Sequence, residues 1–519
     1  MLAAATMAGV GVRTLCATAL LAALVAVVAA TVRLGGDLGH PAALLYWYAA
    51  AWVLFAGAAW TVQRVPVRTA VALILAGGIA LCAAALSAPP RTSDDMYRYA
   101  WDGRVQAAGI SPYAYPPDAP QLARLRDPWL FPAGTACRGW DLRSVAGVCT
   151  HINRPSEPTI YPPVAEGWFL LVHAVSPAGG RHKPLQLAGA VLSVATTVAL
   201  LLVRRRACGD MRRVALWAWC PAVPFAAVND AHVDTVGVLL TVAALGTAAG
   251  ARRGALLGAA IAAKLLPALT LPGALSGVLA PGRSPRTRLR EAASVLLAAV
   301  GVVALVYFPY LLTSGSAVLG YLPGYLREEG YEPGDVGRFA LLRLVLPDAW
   351  AGPAAAVLIA LTAWYVLRHG DPERPWHGSL LVTGTALLLT SPAYYWYALL
   401  VVALVAMGGP GEWLTVAAAG TVLYVANELH WPGVQAAAYG TAAATVLAGV
   451  LVRARARGGG DRRRDGAGGQ ACGPHRARGG HRWRRLKTTI RRTAKRTTVT
   501  RAKLGASTRV SAAGEAVGR

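Results

Sequence analysis

Apolar segments of near-bilayer length recur along almost the whole chain, and they constrain the fold more than any other feature. A hydrocarbon core about 30 Å thick needs about 20 apolar residues in a helix to cross it. The chain has 519 residues, of which 55% are hydrophobic and only 15% are charged, and this balance excludes a soluble protein of that length. We therefore predict an all-α polytopic membrane protein with about 11 to 14 transmembrane or re-entrant helices. The apolar segments are residues 11–32, 42–62, 68–88, 184–203, 214–228, 232–250, 291–313, 351–367, 378–392, 395–408, 413–429 and 434–452.

The basic connections between these segments indicate an orientation. Because Lys and Arg near span ends stay in the cytoplasm, we expect both termini inside and residues 89–183 outside the plasma membrane. One segment needs a separate interpretation: residues 254–280 lie between two basic inner connections and contain Lys264, Pro267 and Pro272. We interpret it as two half-helices that enter the membrane and return, as occurs where backbone lines a polar cavity. The basic connections lie near residues 64–68, 204–213, 252–253, 283–290 and 368–374, and from 453 onward.

The composition divides the chain into four parts. Residues 1–88 and 184–452 are predicted transmembrane regions, and residues 89–183, rich in Trp, Tyr, Pro and mixed charge, are predicted to form a large extracytoplasmic loop with interfacial helices. Residues 453–519 carry 20 Lys and Arg against three acidic residues, a charge of about +17 out of the chain's +26. This tail is predicted to be disordered, cytoplasmic and bound to anionic lipid. Nucleic acid is the less favoured partner for it.

The cysteines divide by compartment. Cys137 and Cys149 both fall in the predicted extracytoplasmic loop, where oxidising conditions favour a disulfide over two free thiols. A zinc site is disfavoured because no second Cys or His cluster of suitable spacing accompanies the pair. We expect a loop-closing disulfide between them.

The polar segment 93–104 follows directly on the third apolar segment. It contains Asp94, Asp95 and Asp102, together with Arg98, Arg104 and three aromatic residues. Such groups are costly near hydrocarbon unless they are paired or used. The segment therefore indicates an enzyme rather than a scaffold.

The order of motifs resembles the GT-C glycosyltransferases. The pattern of residues 95–104, then Ala-Gly-Ile-Ser-Pro-Tyr at 108–113, Asn-Arg-Pro at 153–155 and Thr-Ile-Tyr-Pro-Pro at 159–163, is similar to the polyprenol-phosphate-sugar-dependent group that includes bacterial α-mannosyltransferases and glycosyltransferase family 87. Residues 229–234 (Asn-Asp-Ala-His-Val-Asp) and 263–267 (Ala-Lys-Leu-Leu-Pro) resemble later motifs of that group. The resemblance covers about residues 90–410. Three spans before the loop, where many relatives have one, and the basic tail depart from the family pattern.

The resemblance implies a GT-C-like fold and a reaction. The expected activity is inverting transfer of a sugar from a polyprenyl-phosphate donor to a cell-envelope glycolipid or polysaccharide acceptor, at the outer face of the membrane. Mannose is the favoured sugar, and arabinofuranose and glucose remain open. The main alternative is a transporter or flippase of lipid-linked or polar substrates, whose function would depend on intramembrane polar residues rather than on a long charged loop.

Sugar transfer from a lipid phosphate needs a base for the acceptor hydroxyl. By the resemblance, Asp95 matches the family's acidic residue at the end of the span before the large loop, and Asp94 is its immediate rival. The non-catalytic alternative is that both carboxylates cap a short interfacial helix.

The departing phosphate needs cations, and the acceptor and sugar need polar contacts. Asp230, His232 and Asp234 could bind sugar hydroxyls or a divalent cation, although their spacing is not specific for a metal. Lys264 has an alternative in snorkelling to the cytoplasmic interface. The predicted binding residues are Arg98, Asp102, Arg104, Arg154, Tyr161, Asp230, His232, Asp234 and Lys264, and Arg338 is a further candidate cation.

Overall fold

The computed structural model describes residues 2–145, 147–331 and 337–460, which are mostly helical. The chain divides into two units, Met1–Gly458 and Gly459–Arg519. The prediction of a disordered tail is wrong for residues 453–460, which continue the last helix, and from residue 461 on the tail lies outside the described residues. The helices are α1 (Leu2–Leu34), α2 (Pro41–Val62), α3 (Val67–Ala85), α4 (Asp95–Ala107), α5 (Pro163–Val175), α6 (Lys183–Arg206), α7 (Ala215–Ala218), α8 (Asp234–Leu245), α9 (Gly250–Ile261), α10 (Leu271–Ala274), α11 (Pro285–Ser314), α12 (Leu322–Glu328), α13 (Asp348–His369), α14 (Pro375–Thr390), α15 (Leu399–Ala406), α16 (Leu414–Asn427) and α17 (Val434–Gly460).

The predicted membrane class is confirmed, but full-length spans are fewer than predicted. Within the described ranges, seven helices are long and apolar enough to cross a membrane, and a bent pair, Val223–Asn229 with Asp234–Leu245, would make eight. The remaining apolar segments form shorter helices because prolines and glycines interrupt them. Pro392 ends α14, and the Gly408-Gly409-Pro410 sequence ends α15. Counting apolar runs therefore overestimates the number of complete spans.

A broken, fully buried segment runs through the middle of the helical unit. All residues from Trp217 to Val238 are buried. Pro221 and Pro224 prevent a regular helix, and residues Val223–Asn229 adopt a π-helix that meets α8 at an angle of 115°. This break carries the sequence Asp230 to Asp234 into the interior.

The predicted half-helix pair has a counterpart in the structure. Helix α9 runs to a turn at Lys264, and the chain returns through Leu266–Thr270 and α10. The two ends of this excursion lie together, because Arg253 donates from Nη1 to the carbonyl oxygen of Ala274 at 2.9 Å. Lys264 therefore lies at the far end of the excursion from Arg253.

The segment 89–183 forms a module on α4 and α5, and we call it the 89–183 module. A small two-stranded antiparallel sheet, β1 (Arg143–Val145) and β2 (Val148–Thr150), departs from the all-α expectation. The structure contains the predicted disulfide between Cys137 and Cys149, and this bond links β2 to the segment before β1. Helices α4 and α5 cross closely at Gly103, where a Cβ would lie 2.5 Å from the carbonyl oxygen of Phe169. This crossing fixes the direction of α4 and hence the position of its first residue, Asp95.

Candidate active site

Two neighbouring carboxylates lie at the start of α4. Asp94 accepts hydrogen bonds from Arg143 Nη2 and from Asn153 Nδ2, both at 3.0 Å. Asp95 accepts from the same amide nitrogen of Asn153 at 2.7 Å. The side chain of Asp94, at the N-cap position, makes no capping hydrogen bond; instead Ser93 Oγ accepts from the backbone N–H of Asp95. Both acids are therefore directed toward other side chains rather than toward their own helix.

His232 lies against the second oxygen of Asp95. Its Nδ1 is 3.4 Å from Asp95 Oδ2, and the hydroxyl of Tyr99 donates to that oxygen at 3.4 Å. The His232 side chain is fully buried, and its ring stacks on Trp396 with 3.9 Å between centroids. Within the described residues neither ring nitrogen makes a hydrogen bond of good geometry. Asp95 is thus the nearest acidic neighbour of Nδ1, and Nε2 has no hydrogen-bond partner among the described residues.

The backbone that delivers His232 is strained. Ala231, directly before it, has a φ of +54°, a left-handed conformation that costs an alanine roughly 1–2 kcal/mol. Such outliers persist where the surrounding structure holds them, often at functional sites. Here the strain belongs to the turn that brings His232 beside Asp95.

A cation forms the other side of the site. Lys264 Nζ lies 3.2 Å from Asp234 Oδ2, and it sits 5.4 Å and 5.6 Å from the ring centroids of Tyr161 and Tyr397. These contacts favour the site over snorkelling toward the opposite interface as the reason for its placement. A small cavity of about 10 Å³, roughly the space of one water molecule, adjoins the lysine, and its lining combines one ion pair, two aromatic rings and aliphatic surface. The lining residues are Asp234, Val238, Lys264, Leu266, Pro267, Trp396, Tyr397 and Leu400.

The electrostatics of the two acids differ in direction. Burial acts to raise the pKa of Asp95, but the His232 ring and the charges of Lys264 and Arg154 outweigh it and hold this pKa well below its usual range. Burial, together with the neighbouring Asp95 charge, raises the pKa of Asp94 to about 6 despite Arg143. Asp95 is therefore the ionised member of the pair, and Asp94 is the one that holds a proton more easily.

Three of the predicted binding residues hold the 89–183 module together instead of facing Asp95. Arg98 donates from Nε to Asp102 at 3.2 Å and from Nη2 to the Glu157 carbonyl at 2.9 Å. Asp102 also accepts from the hydroxyl of Thr159 at 2.9 Å. Arg104 donates to the carbonyl of Leu125 and pairs with Asp127. Their polar groups are committed to internal partners.

The predicted trio Asp230, His232 and Asp234 does not converge on one point. Asp230 accepts from the backbone N–H groups of Arg91 and Thr92 and from the Thr92 hydroxyl, so it anchors the end of the chain segment before α4. Asp234 pairs with Lys264 instead. Within the described part of the chain no group of three or more His, Cys, Asp or Glu side chains could hold a metal ion.

Arg338 and Tyr161 have different positions. Arg338 is buried and paired with Glu329, and it is not one of the residues that line the pocket. Tyr161 contributes its ring to the Lys264 environment and its carbonyl oxygen to the hydroxyl of Tyr113. Only Tyr161 of these two belongs to the surroundings of Lys264.

Sequence reasoning assigned no specific site role to three residues of this arrangement. Asn153 enters the sequence analysis only as part of the Asn-Arg-Pro motif, and Trp396 and Tyr397 do not enter it. The break at Ser391-Pro392 before the aromatic run is the available signal, because it lets these side chains turn inward. Ser391 indeed has a left-handed φ of +47°.

Comparisons with protein-family models, curated proteins and solved structures found no match to this chain. The function therefore has to be argued from the geometry of the site.

Proposed function

We propose that this protein is an inverting GT-C-type glycosyltransferase, which moves a mannosyl residue from a polyprenyl-phosphate donor to an envelope glycolipid or polysaccharide at the outer face of the plasma membrane. One observation carries the proposal: Asp95 contacts His232, the ring of His232 stacks on Trp396, and Trp396 lines a small pocket together with Lys264. The walls of this pocket are both aromatic and aliphatic. A lipid-linked sugar phosphate has the three matching parts, an anion, a sugar ring and a hydrocarbon chain. A soluble sugar nucleotide would have no use for the aliphatic wall.

The reaction is a single displacement at the anomeric carbon. The acceptor hydroxyl oxygen forms the new bond to that carbon while its proton passes to Asp95. The bond between the anomeric carbon and the phosphate oxygen breaks, and its electron pair stays on the polyprenyl phosphate. Lys264, with Arg154 nearby, stabilises the charge that develops there. One displacement inverts the configuration, so a β-linked donor gives an α-linked product.

Donor binding also adjusts the basicity of Asp95. A carboxylate whose pKa is far below the working pH is a weak base. Lys264 and Arg154 contribute to this low pKa in the structure without substrate. A phosphate that pairs with these cations cancels their field at Asp95, so the pKa of Asp95 rises toward its ordinary value when the donor is present. Base strength is thereby coupled to occupancy of the donor site.

His232 positions Asp95 in this scheme. Its ring is fixed by stacking on Trp396 and lies within 3.4 Å of the carboxylate. It restricts the orientation of the Asp95 carboxylate, and it remains in contact with this group when Asp95 takes the acceptor proton.

The donor class is tested with the full chain in lipid nanodiscs. Radiolabelled polyprenyl-phosphate mannose, arabinose and glucose, and a mannose nucleotide, are each supplied with an envelope glycolipid extract. We expect label in the glycolipid, together with equimolar release of polyprenyl phosphate, from polyprenyl-phosphate mannose only. Label from the nucleotide sugar alone would contradict the proposed donor. In a parallel assay in sealed proteoliposomes, movement of intact donor across the membrane without bond formation would instead favour the flippase alternative.

A further inference from the structure

Arg154, the second cation near Asp95, is already occupied by a carboxylate of the same chain. Its Nε lies 2.5 Å from Glu328 Oε2, and the other oxygen of Glu328 accepts from the hydroxyl of Tyr321. Arg154 has a left-handed φ of +46°, which is uncommon for a non-glycine residue. The arginine therefore projects from a constrained position toward a segment that is far away in sequence.

Glu328 belongs to a segment that covers the site. Helix α12 ends at Glu328, and the ring of Tyr325 on the same helix lies 5.4 Å from the Arg154 guanidinium carbon. The hydroxyl of Tyr325 is hydrogen-bonded to that of Tyr397, which lines the pocket beside Lys264. Residues 315–331, which we call the cover segment, thus contact both Arg154 and the pocket wall.

Glycines with positive φ lie on both sides of α12. Gly315, Gly320 and Gly330 have φ values of +55°, +54° and +73°. Gly320 also packs directly on the carbonyl oxygen of Thr159, where a Cβ has no room. Backbone of this kind absorbs large changes in dihedral angle at the ends of moving segments. The cover segment therefore has glycines that can act as hinges on both sides of the short helix α12.

We propose that the cover segment is a lid, held closed because Glu328 occupies Arg154 as an internal substitute for an anionic substrate group. This inference rests on the proposed function, in which that group is the donor phosphate. A phosphate offers Arg154 more anionic oxygens than one carboxylate, and it can pair with Arg in a forked geometry. Release of Glu328 lets α12 move away from Tyr397 and opens the pocket to the donor.

The ion pair between Arg154 and Glu328 is weak enough for an incoming anion to replace Glu328. The side chains of Arg154 and Glu328 are 33% and 40% exposed. Ion pairs at such exposure contribute little stability, since solvent screens them. A buried ion pair would have held the cover segment in the closed position. A pair of this exposure only biases the closed form, and an incoming anion can displace it.

The lid is tested first without any substrate. Hydrogen–deuterium exchange is measured on the peptide that covers α12 in the full chain, in nanodiscs, for wild type, Glu328→Gln, Arg154→Gln and the double variant. We expect Glu328→Gln to speed exchange about threefold, and Arg154→Gln, which also loses its contact with the Tyr325 ring, to speed it at least as much. The double variant should match Arg154→Gln, because the shared ion pair is already absent there. Glu428→Gln, an exposed glutamate elsewhere in the sequence, is the matched control and should leave α12 unchanged. Unaltered exchange in both single variants would overturn the latch.

Competition for Arg154 is tested with farnesyl phosphate as a short polyprenyl phosphate. Glu328→Gln should bind it about threefold more tightly than wild type, because a larger fraction of the protein is already open. Equal or weaker binding by Glu328→Gln would overturn the role of Glu328 as an internal competitor. If exchange responds as expected but neither protein binds farnesyl phosphate, the latch is supported and the donor class in the proposed function fails.

Discussion

Replacing Lys264 by glutamine tests whether the lysine serves the substrate or only its own ion pair. The change removes the cation that faces the pocket and keeps a side chain of similar reach. A charged hydrogen bond to a phosphate is worth roughly 1.5–3 kcal/mol. If Lys264 makes this bond in the transition state, kcat/KM for the polyprenyl-phosphate sugar falls about 10- to 100-fold.

The same substitution has a structural cost that must be separated from the catalytic one. Asp234, only 5% exposed, loses its partner, and an uncompensated buried charge can cost about 3–5 kcal/mol of stability. The double variant Asp234→Asn, Lys264→Gln removes both charges, so it should recover most of the lost thermal stability. It should not recover transfer, because the phosphate still lacks its cation.

The assay is transfer of labelled sugar by purified, folded protein at several donor concentrations, with melting temperature measured on the same samples. Lys183→Gln is the matched control, since this lysine donates to the carbonyl of Leu86 and to Gln186. Recovery of wild-type kcat/KM in the double variant would contradict a substrate-binding role for Lys264, because the lysine would then act only as the counterion of Asp234.

Three further outcomes follow from local structure. Burial and the neighbouring Asp95 charge raise the pKa of Asp94 from its usual 3.8 to about 6. The folded form therefore binds more protons between these values, and stability falls as pH rises from about 4 to 6. Asp94→Asn should flatten this part of a plot of melting temperature against pH, and an unchanged slope would contradict the assignment. Replacing both Cys137 and Cys149 by serine should cost about 3 kcal/mol of stability. The double variant should melt at a lower temperature than wild type, and reductant should not lower its melting temperature further. A double variant whose melting temperature still falls with reductant would contradict the assignment of this disulfide. Gly103→Ala should lower both melting temperature and transfer, because its Cβ meets the α5 backbone, whereas Gly167→Ala, with nothing within 4 Å of its Cβ, should be tolerated; equal effects would argue against close crossing of the helices.

The sequence predicted the features that depend on local composition. Long apolar runs predicted a polytopic membrane protein. That residues 89–183 form an extracytoplasmic loop stays a prediction. The disulfide followed from the placement of Cys137 and Cys149 in one polar loop. Lys264 was singled out because a charged amine in an apolar segment is energetically costly. In the structure it pairs with Asp234 and lines the pocket.

The remaining features depend on contacts between distant residues. Arg98 resembled a phosphate ligand in sequence, but its donors go to Asp102 and to carbonyls more than 50 residues away. No local sequence pattern distinguishes an arginine that hydrogen-bonds within the protein from one that binds substrate. The helix count failed for a related reason: hydropathy measures the length of an apolar run, whereas prolines and glycines decide where the helix stops.

The pairing of Arg154 with Glu328 was equally inaccessible from the sequence, since 174 residues separate the two. Each residue alone is an ordinary charged group. The pairing becomes informative only when it is seen beside Asp95, with the Tyr325–Tyr397 contact next to it.

The central claim is that Asp95, rather than Asp94, is the base. The most direct measurement compares sugar transfer from polyprenyl-phosphate mannose to an envelope glycolipid by wild type, Asp95→Asn and Asp94→Asn at equal amounts of folded protein. We expect Asp95→Asn to abolish transfer while it retains donor binding, and we expect Asp94→Asn to keep measurable transfer. Loss of transfer in Asp94→Asn together with activity in Asp95→Asn would contradict the assignment of the base.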